Sequence, residues 1–348
     1  MIGPLTRKRW LLGIGVLALA SAGTIPIALF QGGESISPAQ GMELLYERIT
    51  GMATSPGSPL QTILFEVRLP RILLAALAGA ALALVGTTLQ SLLRNPLADP
   101  YLLGISGGAA LGVSGVILLG PTVGVPDLPF WVPSAAAVCG GFLTLLLVYR
   151  LSLQGGRLSI QTLLLAGIAV NAVTSSLILL MTAFADPVRI SRMVFWLMGT
   201  LNSPGFPLLI TLAILLLAGM AVPLIHAREF NLLPLGEEAA RSLGTDVERV
   251  KRWVFVIAAF LTGIVVAFTG PIGFVGILVP HILRLLIGTD HRLLIPASAL
   301  GGAGFLVLAD TLARTVVNPA EIPVGVITAL LGGPVFIYLL KTKRLGVS

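Results

Sequence analysis

The chain has 348 residues, of which 56% are hydrophobic and only 11% charged, and its mean hydropathy is +0.98. This composition excludes a soluble domain of this size, because most of the protein must face lipid. A single cysteine, Cys139, excludes an intrachain disulfide and a metal site built from several cysteines. The net charge of +7 resides mainly at the ends of apolar segments, which indicates membrane topology signals rather than nucleic-acid binding.

Ten apolar stretches are each long enough to cross a hydrocarbon core of ~30 Å as an α-helix. The sequence therefore predicts an all-α integral membrane protein with one transmembrane domain over residues 1–348. The first stretch contains small residues that resemble a signal-peptidase site, but it continues to Phe30, which favours a retained span. The predicted spans are 10–30, 72–91, 101–119, 131–149, 160–182, 207–225, 253–270, 272–288, 293–313 and 323–341.

The basic residues predict an orientation for these spans. A cytoplasmic N-terminus places 16 of the 22 lysines and arginines inside and 6 outside, so both termini are predicted to be cytoplasmic. Six glycines are expected to let helices approach closely, since lipid offers no hydrophobic drive for helices to associate. They are Gly79, Gly86, Gly104, Gly107, Gly108 and Gly112.

Acidic residues are missing from the middle of every predicted span, and Asp310 comes nearest, towards the outer end of the ninth. Carriers driven by protons or sodium usually place carboxylates at mid-membrane, so an ion-coupled carrier is disfavoured. No GxxxxGK[ST] phosphate loop occurs either. Energy for active transport must therefore come from a partner.

The longest predicted cytoplasmic connection contains a candidate contact for that partner, near residues 228–251. Its segment Gly236-Glu-Glu-Ala-Ala-Arg-Ser-Leu-Gly244 favours a short helix that ends at Gly244. Such a helix could act as a rigid coupling element that rests on another protein, although a solvated loop helix would have the same pattern.

On the outer face, Arg68, Arg71 and Arg314 suggest either docking to a partner's carboxylates or anchors whose charged ends snorkel to the membrane surface. His281 has no second metal ligand at a suitable spacing, which favours a structural cap.

Several motifs together resemble the iron-siderophore, haem and cobalamin permease family of bacterial ABC importers. The resemblance runs from about residue 60 to the C-terminus, with the motifs in family order. These motifs are Arg68-Leu-Pro-Arg71, Gly79-Ala-Ala-Leu-Ala83 through Gly86 and Gln90, Asn95-Pro-Leu-Ala-Asp-Pro100, Leu103-Gly-Ile-Ser-Gly-Gly108, the segment 236–244, Gly270-Pro-Ile-Gly-Phe-Val-Gly276, Pro280-His281 with Arg284, Ala309-Asp310 with Arg314, and Glu321-Ile-Pro-Val-Gly325.

The resemblance implies a type II importer permease of ten spans with inverted halves, in the bacterial inner membrane. It implies a homodimer in contact with membrane lipid, two ATPase subunits that bind ATP and Mg, and an extracytoplasmic substrate-binding protein. This chain would hold no metal or cofactor and would not itself be an enzyme. The implied residue roles are docking of the binding protein (Arg68, Arg71, Arg314), coupling to the ATPase (Gly236, Glu237, Glu238, Ala239, Leu243, Gly244) and a cytoplasmic gate (Asn95, Leu97, Ser159, Gln161).

The expected function is import of a metal chelate, with ferric siderophore first and cobalamin or haem as alternatives. A membrane-embedded lipid-modifying enzyme is the more remote alternative, in which Arg68, Arg71, Asp310 and Arg314 would bind a phosphate. That enzyme would require paired acids or a nucleophile, and the sequence provides neither in a suitable arrangement.

Overall fold

The computed structural model describes residues 6–32, 36–50, 58–119, 129, 131–155, 157–203 and 205–341. Its first eight helices are α1 (Arg7–Phe30), α2 (Pro38–Thr50), α3 (Pro59–Thr62), α4 (Leu69–Leu92), α5 (Ile105–Leu119), α6 (Trp131–Leu151), α7 (Ile160–Thr182) and α8 (Pro187–Leu197). The remaining helices are α9 (Phe206–Ile225), α10 (Ala227–Leu232), α11 (Glu237–Ser242), α12 (Val247–Thr269), α13 (Val275–Ile287), α14 (His291–Thr315) and α15 (Val324–Lys341).

Each predicted span coincides with a helix. Seven are long and apolar enough to cross a membrane, including a continuous helix Pro59–Leu92 in which a π-helical turn at Ile63–Arg68 joins α3 to α4. The other three spans correspond to shorter apolar helices, Ile105–Leu118, Val275–Ile287 and Val324–Tyr338. The all-helical membrane fold is confirmed, whereas ten crossings stay a prediction. Residues 342–348, which were predicted to be cytoplasmic, lie outside the described ranges.

Helix α4 forms the centre of the bundle. Nearly all its residues from Ala78 to Leu92 are buried, and it packs against α14, α13, α12 and α9. By contrast, α1, α7 and α9 expose large apolar side chains, including Leu19, Leu165 and Ile225. A helix that is apolar on all faces but largely uncovered is suited to lipid contact. The bundle is therefore a central helix surrounded by helices with lipid-facing sides.

Glycines set the closest helix contacts, as predicted for five of the six positions. A Cβ on Gly79 would overlap the carbonyl oxygen of Gly302 in α14, and a Cβ on Gly86 would overlap that of Gly276 in α13. Gly107, Gly108 and Gly112 are similarly crowded by α6 and α7. Gly104 has another role: its φ of +78° ends the 3₁₀ turn Pro100–Leu103 before α5.

Several short elements were not predicted. Helices α2 and α8 are amphipathic and lie in connections between spans, and a short hairpin pairs Leu153–Gln154 with Arg157–Leu158 between α6 and α7. Helix α8 begins with an Asp186 N-cap that accepts a hydrogen bond from the Arg189 backbone N–H at 3.0 Å. These elements are too short or too polar for a search based on membrane spans to find them.

Candidate functional site

Five charged residues meet at the end of the bundle where α4 begins, and we call them the Asp310 cluster: Arg68, Arg71, Asp310, Arg314 and Glu321. Asp310 is 1% exposed. Its Oδ1 accepts hydrogen bonds from Arg71 Nε at 3.0 Å and Nη2 at 2.9 Å, and its Oδ2 accepts one from Arg314 Nε at 3.0 Å. Two guanidinium groups thus hold one buried carboxylate, an arrangement of charge-assisted hydrogen bonds that fixes α4 against α14.

Two arginines of the cluster, Arg68 and Arg314, cap the C-terminus of α1. Arg314 donates to the carbonyl oxygens of Ala28 and Gln31, each at 3.2 Å, and Arg68 donates to that of Leu29 at 2.9 Å. Carbonyls in the last turn of a helix lack partners within the helix and carry partial negative charge. The arginines satisfy them and thereby join α1 to the cluster.

This arrangement bears on the three arginines predicted to dock a partner. Arg68 is only 5% exposed and Arg314 4%, and both point inward to α1. Arg71 reaches the surface, where its Nη1 lies 2.8 Å from the carboxylate of Glu321, whose side chain is 53% exposed. Docking stays a prediction. Arg71 and Glu321 are the members of the cluster that a partner could reach most easily.

The predicted coupling segment lies at the opposite end of the bundle. A short helix is present as predicted, α11 at Glu237–Ser242, and it contains Glu237, Glu238 and Ala239. Gly236 and Gly244 flank it with φ of +118° and +88°, values that glycine adopts without strain. Leu243, at the C-cap, is exposed. The segment therefore offers a helix held between two glycine turns.

Four charged residues connect this helix to the bundle, and we call them the Lys251 cluster: Glu237, Arg241, Glu248 and Lys251. Lys251 Nζ lies 2.8 Å from Glu237 Oε1 and 3.0 Å from Glu248 Oε1. The Arg241 guanidinium lies 3.3 Å from Glu237 and 3.5 Å from Glu248. In the sequence Lys251 is one of the basic residues that predict topology, and its i, i+3 spacing from Glu248 is the one local signal of this pair.

The four predicted gate residues occupy two separate turns. Asn95 accepts a hydrogen bond from the Leu97 backbone N–H at 2.9 Å, which closes the turn after α4. Ser159 caps α7, where Thr162 Oγ1 donates to its hydroxyl at 3.0 Å, and Gln161 is exposed. Within the described ranges, no hydrogen bond joins one turn to the other. Their common role as a gate stays a prediction.

Asp99, in the same turn as Asn95, is a buried acid with a weak partner. Its Oδ1 accepts a hydrogen bond from the Tyr101 backbone N–H at 2.8 Å, and no cation pairs with it in the part of the chain that the structure describes. Burial raises the pKa of Asp99 to about 6, while the hydrogen bond from Tyr101 acts in the opposite direction. A change of protonation in this turn therefore falls close to neutral pH.

His281 does not have the predicted role of a helix cap. It lies inside α13, its residue is 4% exposed, and neither ring nitrogen has a hydrogen-bond partner among the described residues. The expectation of a cap was wrong because α13 continues through Ile287, and the backbone N–H of the Gly288 C-cap instead donates to the Arg284 carbonyl.

A lipid-facing helical bundle with a short helix-bearing segment at one end and an arginine cluster at the other has the layout of a transporter subunit. The chain belongs to the FecCD transport family, which matches residues 18–342. This assignment confirms the resemblance found in the sequence.

Relatives of known name cover most of the chain. The hemin transport system permease protein HmuU of Yersinia pestis is 44% identical over 84% of this chain and 86% of its own length. The vitamin B12 import system permease protein BtuC of Klebsiella pneumoniae is 37% identical over 97% of this chain and 95% of its own. A solved structure of a metal-chelate type ABC transporter, in an inward-facing conformation, has a TM-score of 0.80 at 32% identity and covers 95% of this chain and 99% of that one.

These findings confirm that the protein is a multi-pass ABC transporter permease subunit and not an enzyme. ATP is hydrolysed by a separate ATPase subunit of such transporters.

Proposed function

We propose that this chain is the transmembrane permease of an importer that moves a metal chelate across the bacterial inner membrane. The observation that carries the proposal is the similarity to named import permeases along almost the whole chain, including both ends of the bundle. Two copies would form the path, with both termini in the cytoplasm, as the positive-inside distribution predicts. The chain supplies the shape of the path and the contacts that open it.

The two ends of the bundle suit two different partners. The Lys251 cluster and α11 would rest on the ATPase, because α11 lies between two glycine turns and exposes Glu238, Arg241 and Leu243. The Asp310 cluster would receive the binding protein, whose carboxylate would compete with Glu321 for Arg71. Closure of the ATPase dimer would then move α11, while substrate arrives at the opposite side.

Haem and cobalamin are the substrates favoured by the named relatives, and both are metal tetrapyrroles. Ferric siderophore, the first expectation from the sequence, belongs to the same class of metal chelates. Because the identity to the hemin permease is higher, haem is our first candidate and cobalamin our second.

The test is uptake by proteoliposomes that contain this permease with its partner ATPase and binding protein. Labelled haem, cobalamin and a ferric siderophore are supplied separately, with ATP or a non-hydrolysable analogue inside. We expect one chelate to accumulate only with ATP. If the assembled complex hydrolyses ATP but accumulates none of the three, import of a metal chelate is contradicted.

Docking is tested by the affinity of the binding protein for the permease in nanodiscs. Arg71→Ala should weaken binding by about tenfold or more, as expected when a desolvated charge pair is lost. Glu321→Gln should strengthen it, because Arg71 is released from its internal partner. Arg192→Ala, at an exposed arginine on α8, is the control. Equal affinities for the Arg71 and Arg192 variants would contradict docking at this cluster.

A further inference from the structure

Lys251 connects three elements that are distant in the chain. Its residue is 3% exposed, and its ammonium contacts Glu237 in α11 and Glu248 in α12 at 2.8 and 3.0 Å. It also donates to the Leu158 carbonyl oxygen in the hairpin before α7, at 3.5 Å. A single buried side chain thus links the coupling helix, a membrane helix and the hairpin.

The two carboxylates pair with this buried ammonium group, which would be costly to bury without partners. Arg241 shares the same carboxylates, but its side chain is 40% exposed. Interactions between exposed charges are weak and screened by solvent. Lys251 is therefore the member of the cluster that holds α11 to the hairpin.

The hairpin leads directly to the start of α7. Leu158 precedes Ser159, the N-cap of α7, whose backbone N–H donates to the Ser152 carbonyl at 3.0 Å. Gln154 Nε2 donates to Thr162 Oγ1 at 2.8 Å, which ties the other hairpin strand to the first turn of α7. A displacement of the hairpin must therefore move the N-terminus of this helix.

We propose that Lys251 is the positioning residue that transmits movement of α11 to the start of α7, so that uptake follows ATP hydrolysis. The inference rests on the proposed function, in which α11 sits on the ATPase. It assigns to Lys251 the coupling of the two events and no contact with substrate or nucleotide.

The experiment measures ATP hydrolysis and chelate uptake in the same proteoliposomes. Lys251→Met should lower uptake per ATP by about five- to tenfold, the size of an ordinary coupling free energy, while hydrolysis continues. Lys251→Arg keeps the charge and should restore part of the ratio. Arg252→Met, at an exposed neighbour on α12, is the matched control and should retain the wild-type ratio.

A second variant tests the role of Lys251 if Lys251→Met fails to assemble. Glu237→Gln removes the carboxylate of α11 that pairs with Lys251 and with the exposed Arg241, and it leaves the contacts of Lys251 with Glu248 and Leu158. It should therefore also lower uptake per ATP. An unchanged ratio in the variants that assemble, with hydrolysis and uptake falling together, would overturn the inference while the importer stands. Failure of the wild-type complex to take up any chelate would overturn the proposed function and this inference with it.

Discussion

Asp310 and Asp99 are both buried carboxylates, but they lie at opposite ends of the bundle and are stabilised differently. Asp310 is held by two guanidinium groups within 3.0 Å. Asp99 accepts one backbone hydrogen bond, and within the described ranges no cation pairs with it. The two arginines hold the Asp310 carboxylate in a fixed position, whereas burial without a cation favours protonation of Asp99. The chain therefore fixes one end of the bundle and leaves the other adjustable.

The backbone around the two carboxylates differs in the same way, packed at Asp310 and looser at Asp99. Asp310 lies in α14 and pairs with Arg71 of α4. These two long helices touch at Gly79 and Gly302 with no room for a side chain. Asp99 lies in a turn that contains Arg94 with a φ of +47° and precedes the 3₁₀ turn Pro100–Leu103. Short turns and small helices open at lower cost than packed long helices. Movement during transport is thus expected at the Asp99 end.

The largest effect is expected from Asp310→Asn. The substitution leaves the buried Arg314 and the partly buried Arg71 facing a neutral amide, and removing one partner from a buried ion pair typically costs about 3–5 kcal/mol. We expect a marked fall in thermal unfolding temperature of the purified permease in detergent. Asp186→Asn removes an exposed partner of Arg189 and serves as control. A fall in unfolding temperature no larger than that of the control would show that the Asp310 cluster does not fix this end of the bundle.

Asp99→Asn should instead stabilise the protein. Because the pKa of Asp99 in the folded state is about 6, above its ordinary value of 3.8, its contribution to stability is fully present below about pH 4 and is lost as pH rises through 6. The amide retains the acceptor for Tyr101 and carries no charge. The variant should be more stable than wild type at pH 8, on the order of 2–3 kcal/mol, and nearly equal at pH 4.

Unfolding temperatures measured across this pH range check the prediction. Asp246→Asn changes an exposed carboxylate that caps α12, and asparagine caps helices equally well, so this control should leave the pH profile unchanged. A pH profile of Asp99→Asn that parallels wild type would mean that Asp99 is stabilised as firmly as Asp310, and the contrast between the two ends would fail.

Gly79→Ala tests whether close packing, and not only charge, fixes the Asp310 end. The added methyl group would overlap the Gly302 carbonyl oxygen, and overpacking typically costs about 1–3 kcal/mol. Gly263→Ala, on α12, has nothing within 4 Å of the new Cβ and should be neutral or stabilising. The unfolding temperatures of the two variants should therefore move apart. Equal values would remove the packing argument.

The sequence predicted the positions of the apolar helices well, because a hydrophobic stretch of membrane length is a strong and local signal. It also predicted the short helix α11, from its composition and from Gly244. It did not reveal that Arg68 and Arg314 turn inward to α1, because those contacts join residues far apart in the chain. For the same reason the sequence could not connect Lys251 to Glu237 and Leu158, or α4 to α14 through Gly302. Spacing reveals partners within one helix, and only folding brings separate helices together.

The smallest effect is expected from Arg241→Gln, in the same cluster as Lys251. Both residues contact Glu237 and Glu248, but Arg241 is partly exposed and its ion pairs are longer, at 3.3 and 3.5 Å. Exposed pairs contribute about 0–1 kcal/mol and are screened by salt, so the loss in unfolding temperature should be slight and should vanish in high salt. Lys251→Gln leaves two carboxylates without their buried cation. It should lower the unfolding temperature more than Arg241→Gln, and the loss should persist in high salt. If the two variants lose the same stability at every salt concentration, burial does not distinguish Lys251 from Arg241, and the adjustable end of the bundle is held by its exposed charges.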